Sequence, residues 1–569
     1  MGVALVCLLL TALVTLPFFV IGEVPQRGCC GGTMPVTHDG AMHDNQMRSF
    51  WRGLTSGRLF PRWDDQTHRG YGGPTMAFYP PGIYYLTSLL YWPLRDWHSV
   101  QITLSLMLMG ASGGALYLYA REVMSRGASL ISMAIFIAAP YHLLNQYQRG
   151  AISEQLSFIW MPLALLFAER LLKGTREKVL LWRTAGVNGD GRRTWLSFAG
   201  LAAIFGAFVF SHPPTAYQFL LVFGPGFSIW GLRRSAGRGM VAIALALLFG
   251  SLLAAVYFYP AIAEQRFINA DDVEKVWPYH SSYVFDFNQR VYDHLKNDFT
   301  IRLDRIWAFS TGVIVLLGVT LLTVRGSLKS LELRTRVWLW FGAGLLSAFL
   351  MTKPSELAGR FIPKIEIGVF SWRMLSIASL VAALLAGAAW QAAVDLANES
   401  RRSLKTVLKT VPGLVLIATV MMSLSYVIEP MYRAEAFKPI PEHYNFATLP
   451  RGVPHDVPKM ELAQLASGTG RVTVERWEPE FRVLSVELDK PDQLQLRTSN
   501  FPGWTAFANG RAAEIKSGDV GQIVIDLPSG RSQVTLEFRS TPIRRASAWI
   551  TLISFAVLTS MVVILKRRS

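Results

Sequence analysis

Twelve stretches of nearly uninterrupted apolar residues, each about as long as a helix that crosses a bilayer, constrain this chain more than any other feature. They fall near residues 3–21, 99–120, 128–145, 153–171, 195–211, 215–231, 239–260, 306–325, 337–352, 372–396, 411–428 and 546–565. The expected fold is an α-helical polytopic membrane protein with about twelve transmembrane helices. The first run lacks a basic leader and a small-residue cleavage site, so it reads as a retained helix. A thirteenth apolar stretch, residues 82–94, is too short to span and reads as a juxtamembrane or re-entrant helix.

The formal charge of +17 would point to nucleic acid in a soluble domain. Here the basic residues gather in alternate short connections: Arg121 and Arg126; Lys173 to Arg193; Arg233 to Arg238; Arg325 to Arg336; Arg401 to Lys409; and the tail Lys566 to Arg568. That is the pattern of loops held on the cytoplasmic side, and it excludes nucleic acid as a partner. It also places residues 22–98, 429–545 and most acids and histidines on the opposite, outer face. Three cysteines, two of them adjacent at Cys29 and Cys30, form no disulfide framework.

Three segments follow from this reading: a transmembrane module over 1–428 that carries the first outer loop, a β-rich outer segment over 429–545, and a last helix with a basic tail over 546–569. Within the outer segment, "RVTVERW", "FRVLSVEL", "LQLRTS", "QIVIDL" and "QVTLEF" alternate as half-buried strands do. Asn509-Gly510 suits a tight hairpin turn, and a small antiparallel β-domain is expected. Its role stays open between a lid, an acceptor-binding module and a stabilising plug.

The chemistry-bearing residues cluster in the first outer loop. His38, Asp39, His43 and Asp44 precede a stretch in which Met47, Phe50, Trp51 and Leu54 share one helical face, and Asp64 and Asp65 close it. An amphipathic helix over residues 44–59, lying on the membrane surface, is expected. Asp39 can act as a base; His38 and His43 can orient it, ligate a divalent ion with it, or donate to phosphate. The competing reading is a hydrogen-bonded helix cap. Elsewhere on the outer side stand Arg149 and Glu154, Glu264, His280, His212, Tyr79 in "YGGPTMAFYPPG", and Arg373. Ionisable groups at membrane depth are costly unless paired or functional. Arg373 is the preferred phosphate binder, because a guanidinium can bind two phosphate oxygens at once.

The stretches "HDGAMHDNQMRSFWRGLTSGRLFPRW", "RGYGGPTMAFYPPGIYYL" and "RGAISEQLSFIWMPL" resemble the bacterial 6-pyruvoyl-tetrahydropterin-synthase-related membrane proteins, a group similar to the GT-C glycosyltransferases. "VFSWRML" resembles that group's aromatic-Pro-Trp-Arg motif, with Ser371 in place of proline, and "FPGWTAFANGR" resembles the outer domain of YfhO-type proteins. The resemblance implies a GT-C-like fold and transfer of a sugar from a polyprenyl-phosphate donor to a lipid, glycan or protein acceptor. It implies a bacterial plasma-membrane enzyme of the cell envelope, with its active site on the outer face. It puts Asp39 at the catalytic position, as base or as metal ligand with His43. The alternative reading is a lipid-linked glycan flippase or transporter, for which no internal repeat is visible.

Overall fold

A computed structural model describes residues 2–20, 37–176, 189–233, 237–269, 282–285, 296–324, 328–362, 365, 370–396, 402–432, 448–454 and 456–567. Each of the twelve apolar runs is helical. In chain order the elements of the membrane module and its first loop are α1 (Gly2–Val20), α2 (Gly40–Thr55), α3 (Gly82–Leu94), α4 (Trp97–Ala120), α5 (Arg126–Ile137) and α6 (Pro140–Leu144). A π-helical turn, Asn145–Arg149, joins α6 to α7 (Ile152–Arg176). There follow α8 (Gly189–Ser211), α9 (Pro213–Arg233), α10 (Gly237–Leu253), α11 (Ala255–Ala263), α12 (Lys296–Thr323), α13 (Leu331–Leu350), α14 (Leu375–Asp395), α15 (Arg402–Tyr432) and, beyond the outer domain, α16 (Pro542–Arg567).

Among the described residues, seven spans are long and apolar enough to cross a membrane. The pair α10 and α11, bent by 80°, makes an eighth if counted as one. The expected twelve also included α1, α9, α13 and α15, which are helical but fall short of that length and apolarity. The chain is a multi-pass membrane protein. Residues 82–94 form the short helix α3, as expected.

Burial separates the centre of the bundle from its rim. In α14 the Ala-rich apolar window is 83% buried in protein, whereas in α16 only 11% is, so α14 is the axis and α16 faces lipid. Small residues allow the close approach: Gly387 of α14 lies against the Ala128 carbonyl and Ser132 of α5, where a Cβ would clash.

The C-terminal β-domain, expected on the outer side, is two antiparallel sheets with nine strands among the described residues: β1 (Ala463–Leu465), β2 (Arg471–Glu478), β3 (Phe481–Leu488), β4 (Asp492–Ser499), β5 (Trp504–Ala508), β6 (Arg511–Ala513), β7 (Lys516–Ser517), β8 (Gln522–Leu527) and β9 (Gly530–Phe538). Their orders are β1-β4-β8-β7 and β2-β3-β9-β5-β6. The five expected stretches are β2, β3, β4, β8 and β9. Asn509 and Gly510 turn β5 into β6 with positive φ at both, +50° and +76°. Inward residues Leu484, Val486, Leu494, Leu496, Ile523, Ile525, Val534 and Leu536 fill the core.

This core also takes in a residue from the first loop. Trp63 is buried edge-on to Trp504, ring centroids 5.2 Å apart, and beside Phe538. Around it, the Glu480 carboxylate accepts from the Arg62 amide at 2.6 Å, Arg69 donates to the Val457 carbonyl at 2.6 Å, and Thr75 meets Thr448 at 2.9 Å. At the membrane junction Arg544 of α16 donates to Glu264 at 2.8 Å, and so does Thr541 at 2.6 Å. The β-domain therefore clamps the first loop and shares one end of the bundle with it.

Candidate active site

The site grows from the way residues 37–55 and 140–155 are joined. The His38 amide donates to the Gln148 carbonyl at 3.1 Å and the Asp39 amide to the Arg149 carbonyl at 2.8 Å, so the start of α2 is tied to the break between the span α5–α6 and the next span, α7. Gly150 makes that approach possible. It sits at φ +66°, and a Cβ there would lie 2.1 Å from Thr37 Oγ1. The π-helical turn Asn145–Arg149 ends that span, and such turns recur at functional sites.

Helix α2 begins at Gly40, four residues before the expected start. His43, Met47, Phe50 and Leu54 follow at spacings of four, three and four, on one face. That face is covered by protein and not by lipid: Met47 and Phe50 are fully buried among Met76, Ile83, Tyr84 and Trp97. The expectation of a helix lying on the membrane surface is corrected accordingly. Its apolar stripe found α3 and α4 as partners.

Asp39 stands at the N-cap position, yet its side chain makes no capping bond. Among the described residues its carboxylate accepts no hydrogen bond and enters no ion pair, so the helix-cap reading does not hold. His43, on the buried face of α2, has both ring nitrogens directed at tyrosines: Nδ1 lies 3.0 Å from Tyr84 Oη and Nε2 3.5 Å from Tyr79 Oη. Tyr84 also donates to Gln46 Oε1. Burial pushes the His43 imidazole down to about 4, against the pull of the Asp39 charge. Burial, and then the same Asp39 charge, raise the Tyr79 hydroxyl well above its usual value. His38 is held edge-on to Phe299 and is pushed down to about 4 by burial and by Arg149. Both imidazoles are neutral at pH 7.

Opposite Asp39 lies a clamp of two guanidiniums on one carboxylate. Glu154 Oε2 is 2.6 Å from Arg149 Nη1 and 3.3 Å from Arg373 Nε. Glu154 Oε1 accepts from Tyr141 at 2.8 Å and from Asn145 at 3.2 Å, and Arg149 donates to Asn145 Oδ1 at 2.5 Å. Arg373 lies over the Phe370 ring at 5.1 Å, and Phe370 stacks on Trp372. Its turn is held by Gln218, which donates to the Phe370 carbonyl at 3.1 Å. Ser371, standing where proline was expected, accepts the geometry through two bonds to Ser282. His212, buried beside this clamp, bonds Thr215 at 2.7 Å.

The structure thus brings together Asp39, His38, His43, Tyr79, Arg149, Glu154 and Arg373. It does not bring in Asp44, which pairs with Arg48 one turn along α2 at 3.0 Å. Nor does it bring in Glu264, which is spent on Arg544 and Thr541 at the junction with the outer domain. Asp64 accepts from Ser49 at 2.8 Å and Asp65 pairs with Arg52 at 2.8 Å; both shape the loop. His280 lies outside the described residues, as do Cys29 and Cys30.

Sequence reasoning missed Tyr141, Asn145, Tyr84 and Gln46. A signal for the first two was available: Tyr141, Asn145 and Arg149 recur every four residues, a polar stripe in an otherwise apolar run. The donor set does not fit a divalent ion at Asp39 and His43, because both imidazole nitrogens already face tyrosine hydroxyls. No group of three or more His, Cys, Asp or Glu placed to hold a metal occurs among the described residues.

No protein-family model matches the chain, and no curated protein matches it. Among solved structures it is similar to the oligosaccharyltransferase of Archaeoglobus fulgidus in the apo form, at 12% identity and a TM-score of 0.46, over 75% of this chain and 56% of that one. It is also similar to the AglB oligosaccharyltransferase of the same organism in complex with an inhibitory peptide and a dolichol-phosphate, at 14% identity and a TM-score of 0.38 over the same shares. A third is ArnT from Cupriavidus metallidurans bound to undecaprenyl phosphate, at 12% identity and a TM-score of 0.37, over 75% of this chain and 74% of that one. The chain spans a little over half the length of the two archaeal structures.

Proposed function

We propose that this protein is a membrane glycosyltransferase of the GT-C kind, which moves a sugar from a polyprenyl-phosphate donor to a hydroxyl-bearing acceptor on the outer face of a bacterial plasma membrane. One observation carries the reading: a carboxylate, Asp39, that meets no partner among the described residues, near two guanidiniums that share the Glu154 carboxylate. Glycosyl transfer asks for both. The acceptor oxygen attacks the anomeric carbon and loses its proton to Asp39; the bond to the phosphate oxygen breaks, and the departing phosphate carries its charge to Arg373. Arg149 holds Glu154, and Glu154 holds Arg373 in place. Neutral His43 and Tyr79 bond each other near the carboxylate, without adding a charge that would quench it. The sequence motifs that resemble the 6-pyruvoyl-tetrahydropterin-synthase-related group converge here, since Asp39, Tyr79, Arg149, Glu154 and Arg373 all come from them.

The test is transfer from a labelled polyprenyl-phosphate sugar by protein reconstituted in liposomes, with the donor and acceptor pair found by comparing glycans of a deletion strain with wild type. Asp39→Asn keeps the shape and removes the base, so it should bind donor as wild type does and lose transfer by ~100-fold or more. Wild-type rates in Asp39→Asn would refute the assignment. Movement of intact donor across the bilayer without transfer would replace the enzyme reading with the flippase one.

A further inference from the structure

The stretch "SHPPTAY", residues 211–217, joins α8 to α9, and the transfer chemistry of Asp39 and Arg373 makes no use of its histidine. The His212 carbonyl accepts from the Ala216 amide at 3.2 Å, which makes His212 the N-cap residue of α9. The helix opens on Pro213 and Pro214, neither of which has an amide hydrogen, so Thr215 offers its first N–H. That amide donates to His212 Nδ1 at 3.3 Å, and Thr215 Oγ1 lies 2.7 Å from the same nitrogen. A backbone N–H can only donate. Nδ1 is therefore the acceptor, and the proton of the neutral ring sits on Nε2. Burial, and then the Arg373 charge, hold this imidazole at about 3 against an ordinary 6.5, and the positive end of α9 acts in the same sense, so the ring is neutral.

Three contacts fix where this neutral donor stands. Gln218, in the second turn of α9, donates to the Phe370 carbonyl at 3.1 Å and ties the helix start to the turn that carries Arg373. Trp160 of α7 donates to Ser211 Oγ at 2.9 Å. Gly82 lets α3 press against the Phe210 carbonyl, 2.9 Å from where a Cβ would stand. The charges that act on the ring are those of Arg373, Glu154 and Arg149, so it lies among the residues of the clamp. His212 is only 5% exposed, and among the described residues its Nε2 meets no hydrogen-bond partner. A buried donor without an acceptor is costly unless the acceptor arrives with the substrate.

We infer that His212 is a second ligand of the donor phosphate, its Nε2–H donating to a phosphate oxygen beside Arg373. The inference rests on the glycosyltransferase reading, in which that phosphate departs. Phosphate oxygens only accept, and the start of α9 turns its positive end toward the same anion. When the bond to the anomeric carbon breaks, its electron pair leaves with the phosphate, the proton of the acceptor goes to Asp39, and His212 keeps its own. Its hydrogen bond strengthens as the phosphate passes from one charge to two, so it favours the transition state over the bound donor. A cationic side chain in this place would hold donor and released lipid phosphate alike.

Titration of the full chain in detergent with farnesyl phosphate, and with farnesol as the same hydrocarbon without the anion, tests this. His212→Ala would remove the cap together with the donor. His212→Asn keeps the cap, because an Asn oxygen accepts the Thr215 amide, and removes Nε2–H; His212→Ser, which also caps, repeats the test in a second variant. Wild type should prefer farnesyl phosphate. His212→Asn should lose about tenfold of that preference, the effect of one hydrogen bond to a charged group, with farnesol affinity unchanged. Folded His212→Asn and His212→Ser proteins with the wild-type preference overturn the inference and leave Arg373 as the phosphate ligand. An equal loss of both ligands overturns it too, since it marks the histidine as structural only. A wild type that does not tell farnesyl phosphate from farnesol overturns it together with the glycosyltransferase reading.

Discussion

Replacing Glu154 by Gln separates the charge clamp from the rest of the site. The carboxylate accepts four interactions: Tyr141 and Asn145 on one oxygen, Arg149 and Arg373 on the other. A glutamine of the same shape keeps an acceptor for Tyr141, but turns an amide toward two guanidiniums and removes the carboxylate charge they share. Breaking a buried pair from one side costs ~3–5 kcal/mol, because the remaining charge stays desolvated. Arg149 is 4% exposed and keeps its bonds to Asn145 and Tyr141, while Arg373 is 12% exposed and rests on Phe370. Those retained contacts put the expected loss at the low end, about 3 kcal/mol. Thermal unfolding in detergent should show it, with Asp39→Asn as the reference: that carboxylate makes no bond among the described residues, so its loss should shift stability by no more than ~0.5 kcal/mol. Adding a short-chain polyprenyl phosphate should recover part of the Glu154→Gln loss, since a phosphate dianion can take the vacated place between the arginines. An unfolding midpoint for Glu154→Gln equal to that of Asp39→Asn would refute the clamp.

Arg373→Ala should weaken polyprenyl-phosphate binding and Arg373→Lys less so, measured by lipid titration; unchanged affinity in a folded Arg373→Ala protein removes it from the site. Trp63→Ala should loosen the outer domain by about 3–5 kcal/mol, read as faster proteolysis between residues 448 and 540, because the ring fills that domain's core. In pH titration, His38 and His43 fall from 6.5 unfolded to about 4 folded, so between those values the unfolded chain binds more protons and stability should drop as pH falls. His43→Gln should flatten that drop. Asp64 acts in the opposite sense, raised by burial to about 6, so Asp64→Asn should stabilise the protein at pH 7 and leave transfer intact.

What could be read along the chain were the features written into local spacing. Runs near 20 residues gave the membrane helices, alternation gave β2, β3, β4, β8 and β9, and Asn509-Gly510 gave a hairpin turn, because hydrophobic period and positive φ are properties of neighbouring residues. Short strands such as β1, β6 and β7 carry too few residues to show a period and exist through their pairing. Asp39 was legible as a candidate, but not its freedom from a cap, which depends on the chain at Gln148 and Arg149 taking the amides of residues 38 and 39. Four acids of one loop look alike in sequence. Only the fold pairs Asp44 with Arg48, Asp65 with Arg52 and Asp64 with Ser49, and leaves Asp39 without a partner among the described residues. The same holds for Glu154, whose two arginines come from a neighbouring turn and from a distant helix start. An ion pair forms where packing brings charges within a few ångströms in a place too dry to leave them apart, and no window of sequence contains that distance.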